Sequence, residues 1–230
     1  MPNHREIYNQ RAEQYELLVA REDYRGNILR ALVEIHPFEG HSVVELGAGT
    51  GRLTRILAPL VKDIWLFDIS HHMLEIAVRA LETGGEMEWG LAVADHRNLP
   101  LKDGIADVVI SGWSVCYLAL WSGEGWRREV WEALREMERV LGRKGMIILL
   151  ETEGTGYEQP EAPEKLRGYY EYLEEEGFSR KWIRTDYEFE SLEEAKELMG
   201  FFFHEEMATR VEEEKWVRVP ECTGIWWKSV

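Results

Sequence analysis

Val43-Val44-Glu45-Leu46-Gly47-Ala48-Gly49-Thr50-Gly51-Arg52-Leu53-Thr54 is the stretch whose reading decides the fold. A short β-branched run, Ser42–Leu46, meets three glycines at alternate positions, and helical spacing resumes through Leu53, Ile56, Leu57 and Leu60. The pattern is a strand, a tight turn and a helix. Glycine suits such a turn because it enters positive φ without steric cost and, lacking Cβ, lets a ligand approach the backbone. The start of the following helix presents unpaired N–H groups that suit a carboxylate or a phosphate. Taken alone, the turn accommodates either an amino-acid-tailed cofactor or a dinucleotide.

Working outward, Ile7–Leu32 reads as one or two helices, with Ile28, Leu29, Leu32 and Val33 forming an apolar stripe that ends at Pro37–Gly40. Downstream, Ile64–Ile69 is a second strand ending in Phe67-Asp68, and Ser70 is placed to cap a helix over His71–Glu82. Met87–Ala94 is a third strand closing on Asp95. Asp107–Ser111 is a fourth, apolar between its ends as a strand covered on both faces should be. Trp126–Leu141 is an amphipathic helix, Gly142–Gly145 a turn, and Met146–Glu151 a fifth strand. After a Gly/Pro-rich stretch at Gly154–Pro163, read as a mobile loop, come a helix at Glu164–Gly177, a strand at Trp182–Phe189, one long helix at Leu192–Glu213 and a last strand at Trp216–Lys228.

Alternation of strand and helix predicts right-handed crossovers and an α/β, doubly wound, Rossmann-like sheet. Seven strands are expected, mostly parallel, with the last antiparallel at one edge. Such a sheet binds ligands beyond the carboxyl ends of its strands, at the switch point. Glu45–Gly51, Asp68, Asp95 and Ser111 all fall at those ends.

Composition narrows the partners. The chain has 230 residues, 45% of them hydrophobic, enough for one domain with a sizeable core. It has no apolar run of eighteen residues, and Met1-Pro2-Asn3-His4-Arg5-Glu6 lacks the apolar core of a signal peptide, so a cytoplasmic protein away from membranes is expected. The net charge of -16, with basic residues interleaved among acids, disfavours a nucleic-acid substrate. Cys116 and Cys222 have no metal-type spacing and the seven histidines form no ligand pattern, so no metal is expected. Many Glu and few amides lean toward a thermophilic source. Oligomeric state is not legible.

Spacing discriminates between the two cofactor types. A dinucleotide fingerprint is G-x-G-x-x-G, but here the third position falls on Arg52 and Gly51 comes one residue early. The observed pattern is G-x-G-x-G with Glu45 two residues before it, where a carboxylate is placed to orient a cationic group or order the loop amides.

Val44–Gly51, Asp68, Asp95-His96-Arg97-Asn98-Leu99-Pro100-Leu101, Asp107–Ser111 and Glu138–Met146 together resemble the class I S-adenosylmethionine-dependent methyltransferases. Within that class the resemblance is to the small-molecule group known as methyltransferase type 11, over about residues 40–151. It implies S-adenosylmethionine as cofactor, with Gly47, Ala48, Gly49 and Gly51 lining its methionine moiety and Asp68 accepting from both ribose hydroxyls. Asp95 would hold the adenine amino group, Ile69, Met73 and His96 would flank the base, and Ser111 and Trp113 would border the sulfonium. An N-terminal helical lid over residues 1–36, carrying Tyr15 or Tyr8, would cover a cofactor-binding core at 37–151. Residues 152–180, after the fifth strand, would insert as a substrate cap, and 181–230 would complete the sheet by strand, helix and strand. Cys116-Tyr117 stands where the family often carries a histidine pair.

Methyl transfer from a sulfonium is an in-line displacement with a good leaving group, so alignment and exclusion of water matter more than a catalytic triad. The chain accordingly has no G-x-S-x-G. Trp113, Tyr117, Tyr15 and Trp121, with Tyr169, Tyr170 and Tyr172, are the candidate walls of an acceptor pocket for a flat or cationic small molecule. A nicotinamide-dependent oxidoreductase and a non-catalytic S-adenosylmethionine-binding module are the competing readings.

Overall fold

A computed structural model describes residues 4–82 and 88–230. Seven strands form one sheet: β1 (Ser42–Leu46), β2 (Asp63–Asp68), β3 (Glu88–Val93), β4 (Ala106–Gly112), β5 (Leu141–Thr155), β6 (Ser179–Arg184) and β9 (Glu221–Ser229). Their order is β3-β2-β1-β4-β5-β9-β6. Neighbours from β3 to β5 pair in parallel, whereas β9 runs antiparallel to both β5 and β6. The doubly wound sheet with an antiparallel last strand is therefore as the sequence predicts, except that β9 lies between β5 and β6, which leaves β6 rather than the last strand at the edge. Met87, the expected first residue of the third strand, lies outside the described residues, as do residues 1–3 of the N-terminal segment.

Alternate residues of each strand enter opposite cores. Val44, Leu46, Val109, Ile147, Leu149 and Trp226 face one layer. Val43, Ile64, Val108, Ile148, Leu150 and Ile225 face the other. Period-two alternation with both faces apolar is the signature of a sheet buried on both sides. The first layer is closed by α7 (Trp126–Val140), whose Val130, Ala133, Leu134, Met137 and Val140 repeat at helical spacing, and by α8 (Glu164–Glu175). The second is closed by α3 (Asn27–Ile35), α4 (Arg52–Leu57) and α5 (His71–Leu81). Ser70 caps α5, its hydroxyl accepting from Met73 N at 3.4 Å. Helix α4 ends three residues earlier than its apolar spacing predicts, because Pro59 has no N–H to continue the helical ladder.

The final third departs most from its sequence pattern. The strand expected at Trp182–Phe189 divides into β6 and β7 (Tyr187–Glu188), and that at Trp216–Lys228 into β8 (Arg218–Val219) and β9. Pro220, which has no N–H for a ladder, stands at the second break. β7 and β8 pair with each other in a separate two-stranded sheet. The single long helix divides into α9 (Leu192–Phe203) and α10 (Glu205–Glu214), because His204 has a φ of 85° and breaks the helical run. Residues 185–220 are thus an insertion between β6 and β9. It packs on α2 (Ala12–Val19), whose Leu18 enters a core with Tyr187, Phe189, Leu198 and Val211.

Residues 152–180 are placed differently from the cap that the sequence implied. Thr152–Thr155 continue β5, and α8 buries Leu166, Tyr169, Tyr170 and Leu173 in the core beneath the sheet. Tyr169 donates to Glu151 Oε1 at 3.0 Å, and Tyr170 to the Thr152 carbonyl at 2.5 Å. Apolar and aromatic side chains at helical spacing read equally well as a pocket wall or as core, and the sheet face claims these four.

Two predictions follow from this packing. Trp226 is fully buried and stacks on Tyr170 with ring centroids 4.6 Å apart. Trp226→Ala should lower the unfolding free energy by about 3–5 kcal/mol in a denaturant titration. Burial pushes the Glu151 carboxyl up to about 7, against the pull of the Cys116 N–H and Tyr169 hydroxyl that donate to it. A carboxyl raised on folding adds stability that is whole below its ordinary value of 4.5 and is lost as pH rises through 7. Glu151→Gln keeps the acceptor and removes the titration, so the fall in stability between pH 5 and pH 8 should shrink by roughly 1–3 kcal/mol.

Candidate functional site

A cavity of about 500 Å³ opens beyond the carboxyl ends of β1, β2 and β4, where strand order reverses. Its floor is the glycine turn. Gly47, Gly49 and Gly51 all have positive φ, at 63°, 55° and 85°. Space, however, constrains them differently. A Cβ on Gly47 would lie 1.9 Å from Ser114 Oγ, so that glycine is required by the loop that follows β4. A Cβ on Gly49 would meet nothing within 4 Å, so the bare backbone there faces the open cavity. Gly51 faces the Ala77 side chain of α5 and does not line the cavity. Ala48 is buried, its N–H donating to the Phe67 carbonyl at 3.1 Å and tying the turn to β2.

Asp68, last residue of β2, stands over this floor. Gly49 N donates to its Oδ2 at 2.9 Å and Ser70 N to its Oδ1 at 2.7 Å. Burial lifts its carboxyl above the usual value although these N–H groups pull it down. Each oxygen keeps a free lone pair, so the carboxylate is positioned and still able to accept. Glu45, by contrast, is buried and does not line the cavity. It accepts from the Thr54 hydroxyl, which anchors α4 to β1, and burial pushes its carboxyl up to about 7.

Beyond β3 the chain makes a tight turn in which Asn98 N donates to the Asp95 carbonyl at 3.0 Å. The Asp95 carboxylate reaches the cavity but closes on Arg97, accepting at 2.7 Å from Nε and 2.9 Å from the backbone N–H. Arg97 holds it below the usual carboxylate range. His96 Nε2 lies 3.0 Å from Ser114 Oγ, and burial pushes the imidazole down to about 4, so it is neutral. Ile69 is 69% exposed at the cavity lip, while Met73 is buried in its wall. Ser111 is not at the cavity: its hydroxyl donates to the Leu46 carbonyl at 2.9 Å and clips β4 to β1.

Aromatic rings from three elements complete the walls. Trp113 follows β4 with a φ of 49°, and the Arg52 guanidinium lies 3.4 Å from its ring centroid. Arg52 pairs in turn with the largely buried Glu22 after α2. From α1 (His4–Gln10) and α2 come Tyr8 and Tyr15, their rings edge to face at 5.4 Å. From α6 (Cys116–Trp121) come Tyr117 and Trp121, stacked at 4.5 Å, with the Arg5 guanidinium 4.6 Å above the Trp121 ring. Phe202 of α9 backs this wall, 5.4 Å from Tyr15.

Of the residues singled out from sequence, Gly47, Gly49, Asp68, Ile69, Met73, Asp95, His96, Trp113, Tyr15 and Tyr117 line one cavity. Glu45, Ala48, Gly51 and Ser111 stand behind that wall. Tyr169, Tyr170 and Tyr172 lie in the core. Sequence reasoning missed Arg5, Asn9 and Ser114, which also line the cavity. Arg5, Tyr8 and Asn9 share one face of α1 at helical spacing, a signal that is readable but identical to that of a solvated helix face. Among the described residues no cluster of three or more His, Cys, Asp or Glu is placed to hold a metal, and no helix is long and apolar enough to cross a membrane.

Part of the chain is similar to known proteins. Residues 44–149 match a family model described as a methyltransferase domain. The demethylmenaquinone methyltransferase of Thermotoga maritima is 31% identical over 154 residues, covering 63% of this chain and 59% of that protein. The malonyl-[acyl-carrier protein] O-methyltransferase of Geobacter sulfurreducens is 30% identical over 145 residues, covering 62% of this chain and 50% of that one. The chain thus spans between half and six tenths of the length of these relatives. A crystal structure of an S-adenosylmethionine-dependent methyltransferase from Aquifex aeolicus has a TM-score of 0.57 at 15% identity, over 87% of this chain and 88% of that one, a likeness of fold. Residues 44–149 thus match the methyltransferase-domain family model, and the chain shares the fold of a solved S-adenosylmethionine-dependent methyltransferase.

Proposed function

We propose that this chain transfers the methyl group of S-adenosylmethionine to a small-molecule acceptor by in-line displacement. The observation that carries this reading is Asp68, held by Gly49 N and Ser70 N at the edge of a cavity floored by bare glycine backbone. That donor set fits the cofactor. A fixed carboxylate with free lone pairs accepts two vicinal hydroxyls, and open space at Gly49 admits a chain lying against the backbone. In this reading Gly47 and Gly49 flank the methionine part, while Asp95, His96, Ile69 and Met73 surround the base. The Asp95 carboxylate, already taken by Arg97, has one lone pair left for an amino group.

The cofactor supplies an electrophilic methyl group on a good leaving sulfur. The protein's share is to align the acceptor and exclude water. Trp113, Tyr8, Tyr15 and Tyr117 wall the cavity for that purpose, and α1 and α2, backed by the 185–220 insertion, form its roof. This roof takes the covering role first expected of residues 152–180. A small acceptor agrees with the net charge of -16, which disfavours nucleic acid, and with relatives named for demethylmenaquinone and for a malonyl thioester.

Calorimetric titration with S-adenosylmethionine, S-adenosylhomocysteine and NAD tests the reading. Both sulfur compounds should bind and NAD should not. Asp68→Ala should weaken S-adenosylhomocysteine by roughly 2–4 kcal/mol, because charge-assisted hydrogen bonds are removed from a partly buried site. Binding of NAD alone, or unchanged affinity in the variant, would overturn it.

A further inference from the structure

The wall made by α1 and α6 carries a chain of polar groups to which the cofactor reading above assigns no role. The hydroxyls of Tyr8 and Tyr117 are 2.5 Å apart, and both residues line the cavity. Tyr117 OH is 3.5 Å from His4 Nδ1, and His4 Nε2 is 3.4 Å from the Phe202 carbonyl of α9. The His4 ring lies between partners, stacked on Phe202 at 4.7 Å and edge-on to Tyr117 at 5.7 Å.

The chain has a direction. A carbonyl only accepts, so Nε2 facing Phe202 carries the proton and Nδ1 presents a lone pair. Tyr117 therefore donates to His4, and its oxygen accepts from Tyr8. That leaves the lone pairs of the Tyr8 oxygen for the cavity. Burial lowers His4 below its ordinary value and raises both tyrosines well above theirs, so the resting chain is neutral. The two contacts of His4 are long, at the outer limit of hydrogen-bond distance.

The same wall discriminates against cations. An ammonium acceptor would be held by aromatic faces or by a free carboxylate. The Trp113 face is already covered by Arg52 at 3.4 Å and the Trp121 face by Arg5 at 4.6 Å. Among the described residues lining the cavity the carboxylates are Asp68, at the glycine turn, and Asp95, closed on Arg97. A flat, neutral molecule with a hydroxyl fits what remains.

We propose that the acceptor is a phenol or enol whose hydroxyl donates to Tyr8, with Tyr117 and His4 carrying its proton away. This rests on the cofactor reading above and adds the acceptor class and the proton's route. As the O–CH3 bond forms and the S–CH3 bond breaks, the hydroxyl proton passes to Tyr8, that of Tyr8 to Tyr117, and that of Tyr117 to His4 Nδ1. The products are a methyl ether, a thioether and an imidazolium, which returns its proton to solvent because His4 is only half-buried. Tyr8 is the residue that touches the acceptor; Tyr117 and His4 act through it as positioning residues.

The test uses the full chain saturated with S-adenosylhomocysteine and three probes, 2-naphthol, 2-methoxynaphthalene and 2-naphthylamine, followed by fluorescence. The naphthol should bind about tenfold or more tightly than its methyl ether, because a site built to accept a hydroxyl proton rejects the analogue without one. It should also bind more tightly than the amine. Tyr8→Phe should bring the naphthol-to-ether ratio close to one, and Tyr117→Phe and His4→Phe should reduce it in part. The ratio cancels any general loosening of the pocket, and S-adenosylhomocysteine affinity of each variant checks its fold. Equal affinity for naphthol and ether in the native chain, preference for the amine, no binding of any probe, or a ratio unmoved by Tyr8→Phe each overturns the proposal while leaving the cofactor reading intact. Failure of S-adenosylhomocysteine itself to bind overturns the cofactor reading, and this one with it.

Discussion

Because β1 is hydrogen-bonded along both edges and covered on both faces, it has one free place for polar chemistry, the turn beyond its carboxyl end. Parallel pairing repeats that constraint on β2 and β4, so three strands deliver their last residues to the same side of the sheet. Strand order reverses between β1 and β4, and the helices diverge there and leave a crevice. Asp68 is in the site because β2 ends there, and Trp113 because β4 does.

In and behind the walls of that crevice, hydrogen bonds hold the strand ends in place. Asp68 is fixed by two backbone N–H donors, Ser111 spends its hydroxyl on the Leu46 carbonyl, and Glu45 holds Thr54. Ser114 occupies the space that a side chain at Gly47 would need. The glycine turn therefore does two separate tasks. Gly47 admits a neighbouring loop, and Gly49 leaves room for a ligand. The roof depends on a different logic: Leu18 joins the core of the 185–220 insertion, and His4 and Tyr15 meet Phe202, so N-terminal helices and insertion cover the cavity as one packed layer. The contacts of Tyr8 and His4 with Tyr117 join α1 to α6, and His4 Nε2 reaches the Phe202 carbonyl of the insertion.

Much of this was legible in the chain itself. Alternating apolar strands, the G-x-G-x-G turn, the Ser70 cap and an acid at the end of β2 are local signals, because strand and helix periods are imposed by backbone geometry within a few residues. Where local signals have two readings, the sequence misled. The tyrosines of α8 fit a pocket wall as well as a core, and Ser111 fits a strand end as well as a clip between strands. His204 looked helical, since nothing in its neighbours signals a positive φ at a non-glycine residue.

By itself the sequence determined the doubly wound sheet, its crevice and the identity of Asp68 as the acid beside the glycine turn, since each follows from residues close together in the chain. Only the tertiary structure decided what covers that crevice and which side chains meet in the wall between α1 and α6. His4, Tyr8 and Tyr117 are separated by more than a hundred residues between α1 and α6, and Phe202 lies further still. Contacts at such distances depend on how helices dock, and docking is set by the summed shape of buried surfaces rather than by any spacing that a single chain displays.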